Sequence, residues 1–405
     1  MTDPSLAVSA SSNGAQDVFV STYHDTPDRR LARARITLSR SLRNGAGVWE
    51  ARIGEETLTA PGGPASLPEE LAAKLIAPLR KRELVEIARL RNGENDVALL
   101  EGQDVLRTYV DLDVALEETV PVPKERATRR RAPAIEHVRA YLRRQLAEIE
   151  RTDPVIRTGE DPEAVHDLRV AMRRARSVLR TTSDLFEEEW LDQLRAELRW
   201  LGGELGALRD LDVLLDSLED EGSPETAAVI KLLRTERRRA RARALRALSS
   251  ERYLAVLDRL GVAVDAPPVR ASELSLEAVA AKEFGKLRRA GKRLGAKPSD
   301  ADVHRIRIGA KRARYAAELV APSVGAKARR FVDEAKRFQE SLGAHQDAVT
   351  AIDRIHGVIA RTKSLETAFA AGRLAERVAL RRAGTRQKLP AAWKRLEDQG
   401  RKIWE

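Results

Sequence analysis

One segment of this sequence occurs twice, and the repeat limits the folds that the chain can adopt. VHDLRVAMRRARSVLR begins at Val165, and VHRIRIGAKRARYAAEL begins at Val303 with basic residues at the same offsets from its histidine. An offset of 138 residues relates the two segments, and LGALRDLDVLLD matches the later LGAHQDAVTAID at an offset of 137. A period this long exceeds that of solenoid repeats, so the pattern predicts a helical subdomain of about four helices that is present twice.

The composition changes near position 123, and the change predicts an α+β chain. Before it, runs such as RITLSRS, GVWEARI and TYVDLDVAL favour an antiparallel sheet, and PEELAAKLIAPLRKRE favours a helix. Farther along, Ala, Leu, Arg and Glu dominate, with apolar residues three and four positions apart, as in amphipathic helices. We predict a mostly antiparallel β domain at 1–123, a basic linker at 124–133 and an all-α domain at 134–405. The two helical subdomains are placed at 134–262 and 272–402.

Positive charge is concentrated in the helical part. The 73 Lys and Arg outnumber the 62 Asp and Glu, for a net charge of +11, and residues 1–123 alone have a net charge of −5. This balance favours polyanionic partners, which include nucleic acid, lipid surfaces and phosphate polymers. There is no cysteine, which excludes disulfides and thiolate metal sites. With no signal peptide and no apolar stretch of membrane-spanning length, we expect a cytoplasmic protein without a membrane partner.

The repeated basic residues share one face of a predicted helix. At 100° per residue, the arginines at 169, 173, 176 and 180 fall within about 60° of one another, beside an apolar stripe. Only Arg180 has no basic counterpart in the second copy, since Glu318 occupies the equivalent position. The apolar stripe, which we predict to face the core, consists of Val165, Leu168, Met172, Ala175 and Leu179, and of Val303, Ile306, Ala310, Ala313 and Ala317.

A solvated arginine face is the alternative interpretation of these residues. Solvated helix faces usually mix charges, because opposite charges four residues apart stabilise a helix by about 0.2–0.5 kcal/mol and like charges cost a similar amount. Arg169 with Arg173 is a like-charged pair at this spacing, and no acid lies between Asp167 and Asp184. A bound polyanion would remove the repulsion, so the pattern favours a binding site.

Paired histidines, glycines and aspartates accompany the arginines. His166 and His304 lack a second ligand at metal-binding spacing, so we predict no zinc site and expect them to donate hydrogen bonds to phosphate. The glycines at 206 and 343 lie within helical sequence, which points to close helix contacts. The aspartates at 210 and 347 are suited to orient a neighbouring arginine.

The doubled H-x-x-R-x-x-x-[RK]-R-x-R segment, each time followed by L-G-x-x-x-D, resembles the CHAD family, the conserved-histidine α-helical domain. The resemblance covers residues 130–400 and implies a basic groove between two helical subdomains that binds inorganic polyphosphate. The implied groove residues are His166, Arg169, Arg173, Arg174 and Arg176, and His304, Arg307, Lys311, Arg312 and Arg314. Basic residues on neighbouring helices complete the predicted site, namely Arg143, Arg199, Lys336 and Arg377.

The N-terminal part resembles the CYTH domain, a β-tunnel family of metal-dependent triphosphatases and adenylyl cyclases. YHDTPDRRLARARITLSRS and VWEARI carry the likeness. The metal-binding E-x-E-x-K motif is missing before Tyr23, and Ser39 and Ser41 stand where the family has tunnel arginines. Arg52 takes the place of a tunnel lysine, and of two further acids only Asp113 is kept. The resemblance therefore implies a degenerate domain without a metal cofactor.

These observations lead to a prediction of non-catalytic polyphosphate binding and of association with polyphosphate granules. One alternative is a metal-dependent triphosphatase in which the helical part recruits a polymeric substrate. The other is a nucleic-acid-binding helical protein. Only 4% of the residues are aromatic and none interleaves the arginine stripes, which leaves base stacking without a platform. We therefore expect nucleic acid to bind only non-specifically.

Overall fold

The computed structural model describes residues 19–43, 46–80, 82–92, 96–101, 104–119, 128–159, 161–219, 227–295, 298–386 and 389–405. Contacts between Cα atoms divide the chain into two compact units. The first comprises 1–126 with 146–168, and the second comprises 127–145 with 169–405. The predicted domain boundaries stay predictions, and residues 124–127 of the predicted linker lie outside the described residues.

The first unit contains a seven-stranded sheet in which every neighbouring pair of strands is antiparallel. Its order is β4-β3-β2-β1-β5-β6-β7. The strands are β1 (Phe19–Asp25), β2 (Ile36–Arg43), β3 (Ala46–Ile53), β4 (Glu56–Pro61), β5 (Val85–Asn92), β6 (Val97–Glu101) and β7 (Asp104–Tyr109). Short helices accompany them, namely α1 (Arg30–Arg33), α2 (Glu69–Lys74), α3 (Ile76–Leu79) and α4 (Leu112–Thr119).

The predicted helix at 68–83 forms as α2 and α3, which are separated at Leu75. The strand prediction for TYVDLDVAL is wrong beyond Tyr109, where the chain turns into α4. Asp111 starts this helix, because its carboxylate accepts a hydrogen bond from the backbone N–H of Val114 at 2.9 Å. Ala115 then packs on the sheet through the cluster that includes Tyr109. Helix capping and packing thus outweigh the β-branched composition of the run.

The described residues from Ala134 onward are mainly helical, as predicted, and the α+β class is confirmed. The first copy of the repeat comprises α5 (Ala134–Thr158), α6 (Pro162–Thr181), α7 (Glu188–Glu219), α8 (Ala227–Leu248) and α9 (Glu251–Asp265). The second comprises α10 (Leu276–Gly291), α11 (Asp300–Val324), α12 (Ala326–Arg361), α13 (Leu365–Arg386) and α14 (Leu389–Trp404). Each copy thus has five helices in the described residues where about four were expected, and the fifth is α9 in the first copy and α14 in the second.

The apolar stripes of α6 and α11 are buried, which confirms the helical periodicity. No stripe residue of α6 is more than 5% exposed, and those of α11 are exposed by at most 2%. In the second copy the stripe joins a core to which α10 contributes Phe284, α12 contributes Phe331 and α14 contributes Trp393. The apolar faces of α6 and α11 are therefore fixed in the core, and this sets the direction of the neighbouring arginines.

Candidate functional site

Arg169 is held by α7, the helix that follows its own. Its guanidinium donates a hydrogen bond to the backbone carbonyl of Gly202 at 3.2 Å. A Cβ atom at Gly206 would lie 2.8 Å from the same guanidinium, so glycine leaves the room that Arg169 occupies. Burial lowers the pKa of Arg169, and the charge of Asp210 counteracts this effect. The close approach expected at Gly206 is therefore made by a side chain and not by a helix backbone.

A cavity of about 260 Å³ opens beside Arg169 between α6 and α7. Four arginines line it, and Met172 and Leu198 supply apolar walls. The arginines are Arg169, Arg173, Arg176 and Arg199. Burial and the charges of Arg199, Arg173 and Arg195 lower the pKa of Arg176. The cavity thus concentrates positive charge around a space that is open to solvent.

In the second copy, the electrostatic environment of Arg307 matches that of Arg169. Burial lowers the pKa of Arg307, and the nearby charge of Asp347 counteracts it, just as Asp210 does for Arg169. Lys311 is more strongly affected, since burial and the charges of Arg173 and Arg307 lower its pKa to about 7. Near pH 7 this amine is therefore only about half protonated.

The two copies meet at equivalent positions. Arg173 of the first copy lies close enough to lower the pKa values of Arg307 and Lys311 in the second copy. Burial raises the pKa of Asp347, and Asp210 adds to this effect. Arg173 corresponds to Lys311, and Asp210 to Asp347, in the repeat. Equivalent residues of the two copies thus lie within range of each other's charge, as a two-fold relation within one chain would place them.

We call Arg169, Arg173, Arg176, Arg199, Arg307 and Lys311 the central basic cluster. Within the described part of the chain, no ion pair with a carboxylate is made by Arg173, Arg176, Arg199, Arg307 or Lys311. The Nε atoms of Arg173 and Arg307 are also buried without a hydrogen-bond partner among the described residues. The cluster therefore holds cations together without direct ion pairs, and Asp210 and Asp347 offset only part of their charge.

Arg174 and Arg314 do not belong to the central basic cluster, although both were predicted site residues. Both approach the carboxylate of Glu318, at 3.4 Å and 3.3 Å. Tyr141 donates a hydrogen bond from its hydroxyl to the other Glu318 oxygen at 2.8 Å. Arg174 also lies about 80° from His166 around the helix, outside the basic stripe. Glu318 thus neutralises two of the predicted cations.

The other predicted residues are scattered. Lys336 is exposed and lies 3.9 Å from Glu340. His304 and Arg312 are exposed, and His166, Arg143 and Arg377 are half-buried. The structure places none of these side chains within the cavity between α6 and α7. Their assignment to the site stays a prediction.

Arg195 and Arg209 are basic neighbours of the cluster that the sequence analysis did not select. Arg195 contributes to the lowered pKa values of Arg176 and Arg180. Arg209 contributes to the lowered pKa of Arg169. Arg209 directly precedes Asp210 in the second repeated motif, and this position was a signal that could have identified it.

Several positions of the CYTH-like resemblance lie on the N-terminal sheet. Tyr23, Ser39 and Glu50 lie side by side in register on neighbouring strands. Burial, followed by the charge of Glu50, raises the pKa of Tyr23 to about 12. Arg52 pairs with Asp113 at 3.4 Å. The described residues contain no cluster of three or more His, Asp or Glu that could hold a metal ion. Residues 1–18, where the E-x-E-x-K motif was sought, lie outside them.

None of the described helices is long and apolar enough to cross a membrane.

Two proteins of Mycobacterium tuberculosis, the uncharacterized proteins MT2285 (strain CDC 1551 / Oshkosh) and Rv2226 (strain ATCC 25618 / H37Rv), are each 26% identical to this chain. Each alignment covers 94% of this chain and 90% of the relative. The likeness therefore extends to both the sheet and the helices.

Two solved structures resemble the chain. PptA from Streptomyces chartreusis has a TM-score of 0.54 and 26% sequence identity, and the match covers 65% of this chain and all of that one. The CHAD domain from the plant Ricinus communis has a TM-score of 0.57 and 27% identity, with coverage of 66% and 94%. The family model for the CHAD domain matches residues 140–356, which is more than half of the chain. This protein therefore belongs to the CHAD-domain family.

Proposed function

We propose that this protein binds inorganic polyphosphate through the central basic cluster, which both copies of the repeat build. One observation carries the proposal: Arg173 and Lys311, from different copies, are held within range of each other's charge and make no ion pair in the described residues. Like charges that are held together in a partly buried site destabilise the folded protein, and a bound anion relieves this repulsion. Polyphosphate is a flexible, regularly charged polymer that could contact both copies at once.

The binding role needs no catalysis. Phosphoryl transfer generally requires a metal ion to offset the charge of the phosphates. Arg52 and Asp113 pair with each other across the N-terminal sheet, so this acid of the CYTH-like motif is already engaged by a cation. We therefore propose a structural role for the sheet. An assay of tripolyphosphate hydrolysis with magnesium or manganese tests this part, and metal-dependent turnover would contradict it.

Nucleic acid is a poorer fit to the central basic cluster. Tyr315 is an aromatic residue close to Arg307, and it is only 2% exposed. Its ring faces the guanidinium of Arg314 at 4.9 Å and is not available for base stacking. We infer that nucleic acid competes weakly, through its phosphates alone, and that in cells the protein accompanies polyphosphate granules.

The deciding experiment reverses charge at the two equivalent positions. Arg173→Glu with Lys311→Glu is expected to abolish polyphosphate binding, because each change removes a contact and adds a repulsive charge. Arg238→Glu with Arg239→Glu is the matched control, since both of these α8 side chains are exposed and the net charge changes equally. Equal loss of affinity in both variants, with helix content intact by circular dichroism, would show that binding follows bulk charge.

A further inference from the structure

A second cationic cavity, of about 430 Å³, lies between α10 and α11. Its floor contains Ala290, Ile308 and Gly309, and a Cβ atom at Gly309 would lie 3.2 Å from Leu287, so the two helices pack closely there. Five basic side chains and one acid surround this floor, namely Lys286, Arg289, Arg293, Arg305, Arg312 and Glu283. We call this cavity the α10–α11 pocket.

The basic residues of the α10–α11 pocket outnumber its acids even after its ion pairs are counted. Glu283 approaches Lys286 at 2.6 Å, and Asp302, outside the pocket, pairs with Arg305 at 3.1 Å. In the described part of the chain, Arg289, Arg293 and Arg312 make no ion pair. Three exposed guanidinium groups therefore remain available to an anion.

The charge of the α10–α11 pocket is not explained by helix stability. Cations near the C-terminal end of α10 do interact favourably with the helix dipole. Arg305 and Arg312, however, lie in the first half of α11, where the dipole does not favour them. The first copy has Asp167 at the position of Arg305, and its counterpart of Arg312 is Arg174, which Glu318 neutralises. The accumulation of cations is thus specific to the second copy.

Arg180 links the α10–α11 pocket to the central basic cluster. It lies 3.6 Å from Glu283, which lines the pocket. Burial and the charges of Arg312 and Arg195 lower the pKa of Arg180, and Arg195 also contributes to the lowered pKa of Arg176. Basic residues therefore continue from the cluster to the pocket, with Glu283 as the acid between Arg180 and Lys286. In the second copy, Glu318 stands at the position equivalent to Arg180, so the basic residues do not continue in the same way there.

We propose that the α10–α11 pocket is a second condensed-phosphate site, which holds either a further segment of the polymer bound at the central basic cluster or a free short phosphate chain. The idea that one polymer spans both sites rests on the proposed function of the central basic cluster. The pocket itself requires only that phosphate groups reach Arg289, Arg293 and Arg312. The charge, the small floor and the link through Arg180 together favour a phosphate chain over an isolated carboxylate.

The test compares tripolyphosphate with long-chain polyphosphate in calorimetric titrations of the full-length protein. Arg289→Gln with Arg293→Gln is expected to weaken long-chain binding about tenfold. The slope of log K against log salt should also become shallower by about 1.4, since each lost contact accounts for roughly 0.7 by analogy with single-stranded nucleic acid. Arg238→Gln with Arg239→Gln is the control and should leave both quantities near wild type. Circular dichroism checks that both variants are folded.

The two probes separate the sources of the phosphate. A loss confined to the long chain identifies one polymer that spans both sites, and a loss of one tripolyphosphate per protein identifies a site for free short chains. Binding of both probes equal to that of the control variant would overturn the α10–α11 pocket as a site. The proposed function fails separately, if Arg173→Gln with Lys311→Gln leaves long-chain binding intact.

Discussion

Arg173 and Lys311 occupy the same position in the two copies of the repeat, and the charge of Arg173 helps to lower the pKa of Lys311 to about 7. The amine therefore titrates in the physiological range, far below an ordinary lysine. Burial is the largest cause, and the charges of Arg307 and Arg314 add to it. A phosphate beside the amine would act in the opposite direction and favour the protonated form.

Polyphosphate binding should accordingly consume a proton. Above pH 7 the free protein has mostly neutral Lys311 and the complex has a charged one, so affinity should fall by up to about tenfold per pH unit. Calorimetry in buffers of different ionisation enthalpy measures the proton uptake. Lys311→Arg keeps a positive charge at all of these pH values and should remove the pH dependence of the affinity. A wild-type affinity that is flat between about pH 7 and pH 9 would contradict this role of Lys311.

The same lysine should make the folded protein less stable at lower pH. Because its folded pKa is below its unfolded value, the unfolded state binds more protons between about pH 7 and pH 10, and stability from this group rises with pH. Lys311→Met should therefore raise the thermal midpoint at pH 6 more than at pH 9, in the absence of phosphate. The reverse order would mean that Lys311 is not buried among cations.

Gly206→Ala should weaken polyphosphate binding without changing any charge. The added methyl group would lie 2.8 Å from the guanidinium of Arg169 and displace it. Gly343→Ala, at the equivalent position, meets only Asp347 at 4.0 Å among the described atoms and serves as the control. The control should bind normally and gain about 0.5–1 kcal/mol of stability from the helix propensity of alanine. Titration and urea unfolding of both variants provide the comparison.

Glu318→Gln should increase the affinity for polyphosphate and decrease stability. The change releases Arg174 and Arg314 from their carboxylate partner and adds two available cations. Glu334→Gln is a matched control, because Glu334 also pairs with two arginines, Arg337 and Arg395, on a different part of the second copy. A similar gain of affinity in both variants would attribute the effect to net charge alone.

Arg80→Ala should destabilise the first unit by about 3–5 kcal/mol, because it leaves a buried carboxylate without its partner. Arg80 pairs with Glu150 at 2.6 Å, and both side chains are almost completely buried. Burial raises the pKa of Glu150 to about 6, against the effect of Arg80. Arg80→Met with Glu150→Met should restore much of the stability, measured by urea unfolding. Similar instability of both variants would show that packing, and not the unpaired charge, is decisive.

Helical periodicity was enough to predict which face of α6 and α11 is buried. The apolar stripe from Val165 to Leu179 and its counterpart from Val303 to Ala317 are in the core, because a single helix fixes the angles between its own side chains. The same angles placed Arg169, Arg173 and Arg176 on one edge of the core. Short-range geometry of this kind is encoded locally and can be read without a structure.

Contacts between the copies could not be predicted in this way. Glu318 reaches Arg174 only because α6 and α11 approach each other, and Tyr141 joins this contact from α5. The pairing of Glu318 with Arg314, by contrast, is a local contact between residues four apart on α11. The resemblance to the CHAD family placed Arg174 in the predicted groove, because a sequence motif does not show that Glu318 lies beside it. The lowered pKa of Lys311 likewise depends on Arg173, which is 138 positions away in the sequence.

The internal two-fold relation at Arg173 and Lys311 has a consequence for how such a protein can evolve. In a homodimer of single-copy subunits, a change of arginine to glutamate at position 180 would occur on both sides of the axis and neutralise both ends of the basic surface. Here the copies are joined in one polypeptide, so one copy carries the acid Glu318 at this position while the other keeps Arg180, which pairs with Glu283. Fusion of the two copies into one gene thus permits an asymmetric basic surface on a nearly symmetric fold. A mutation can then change the charge in one copy and leave the equivalent position of the other copy unchanged.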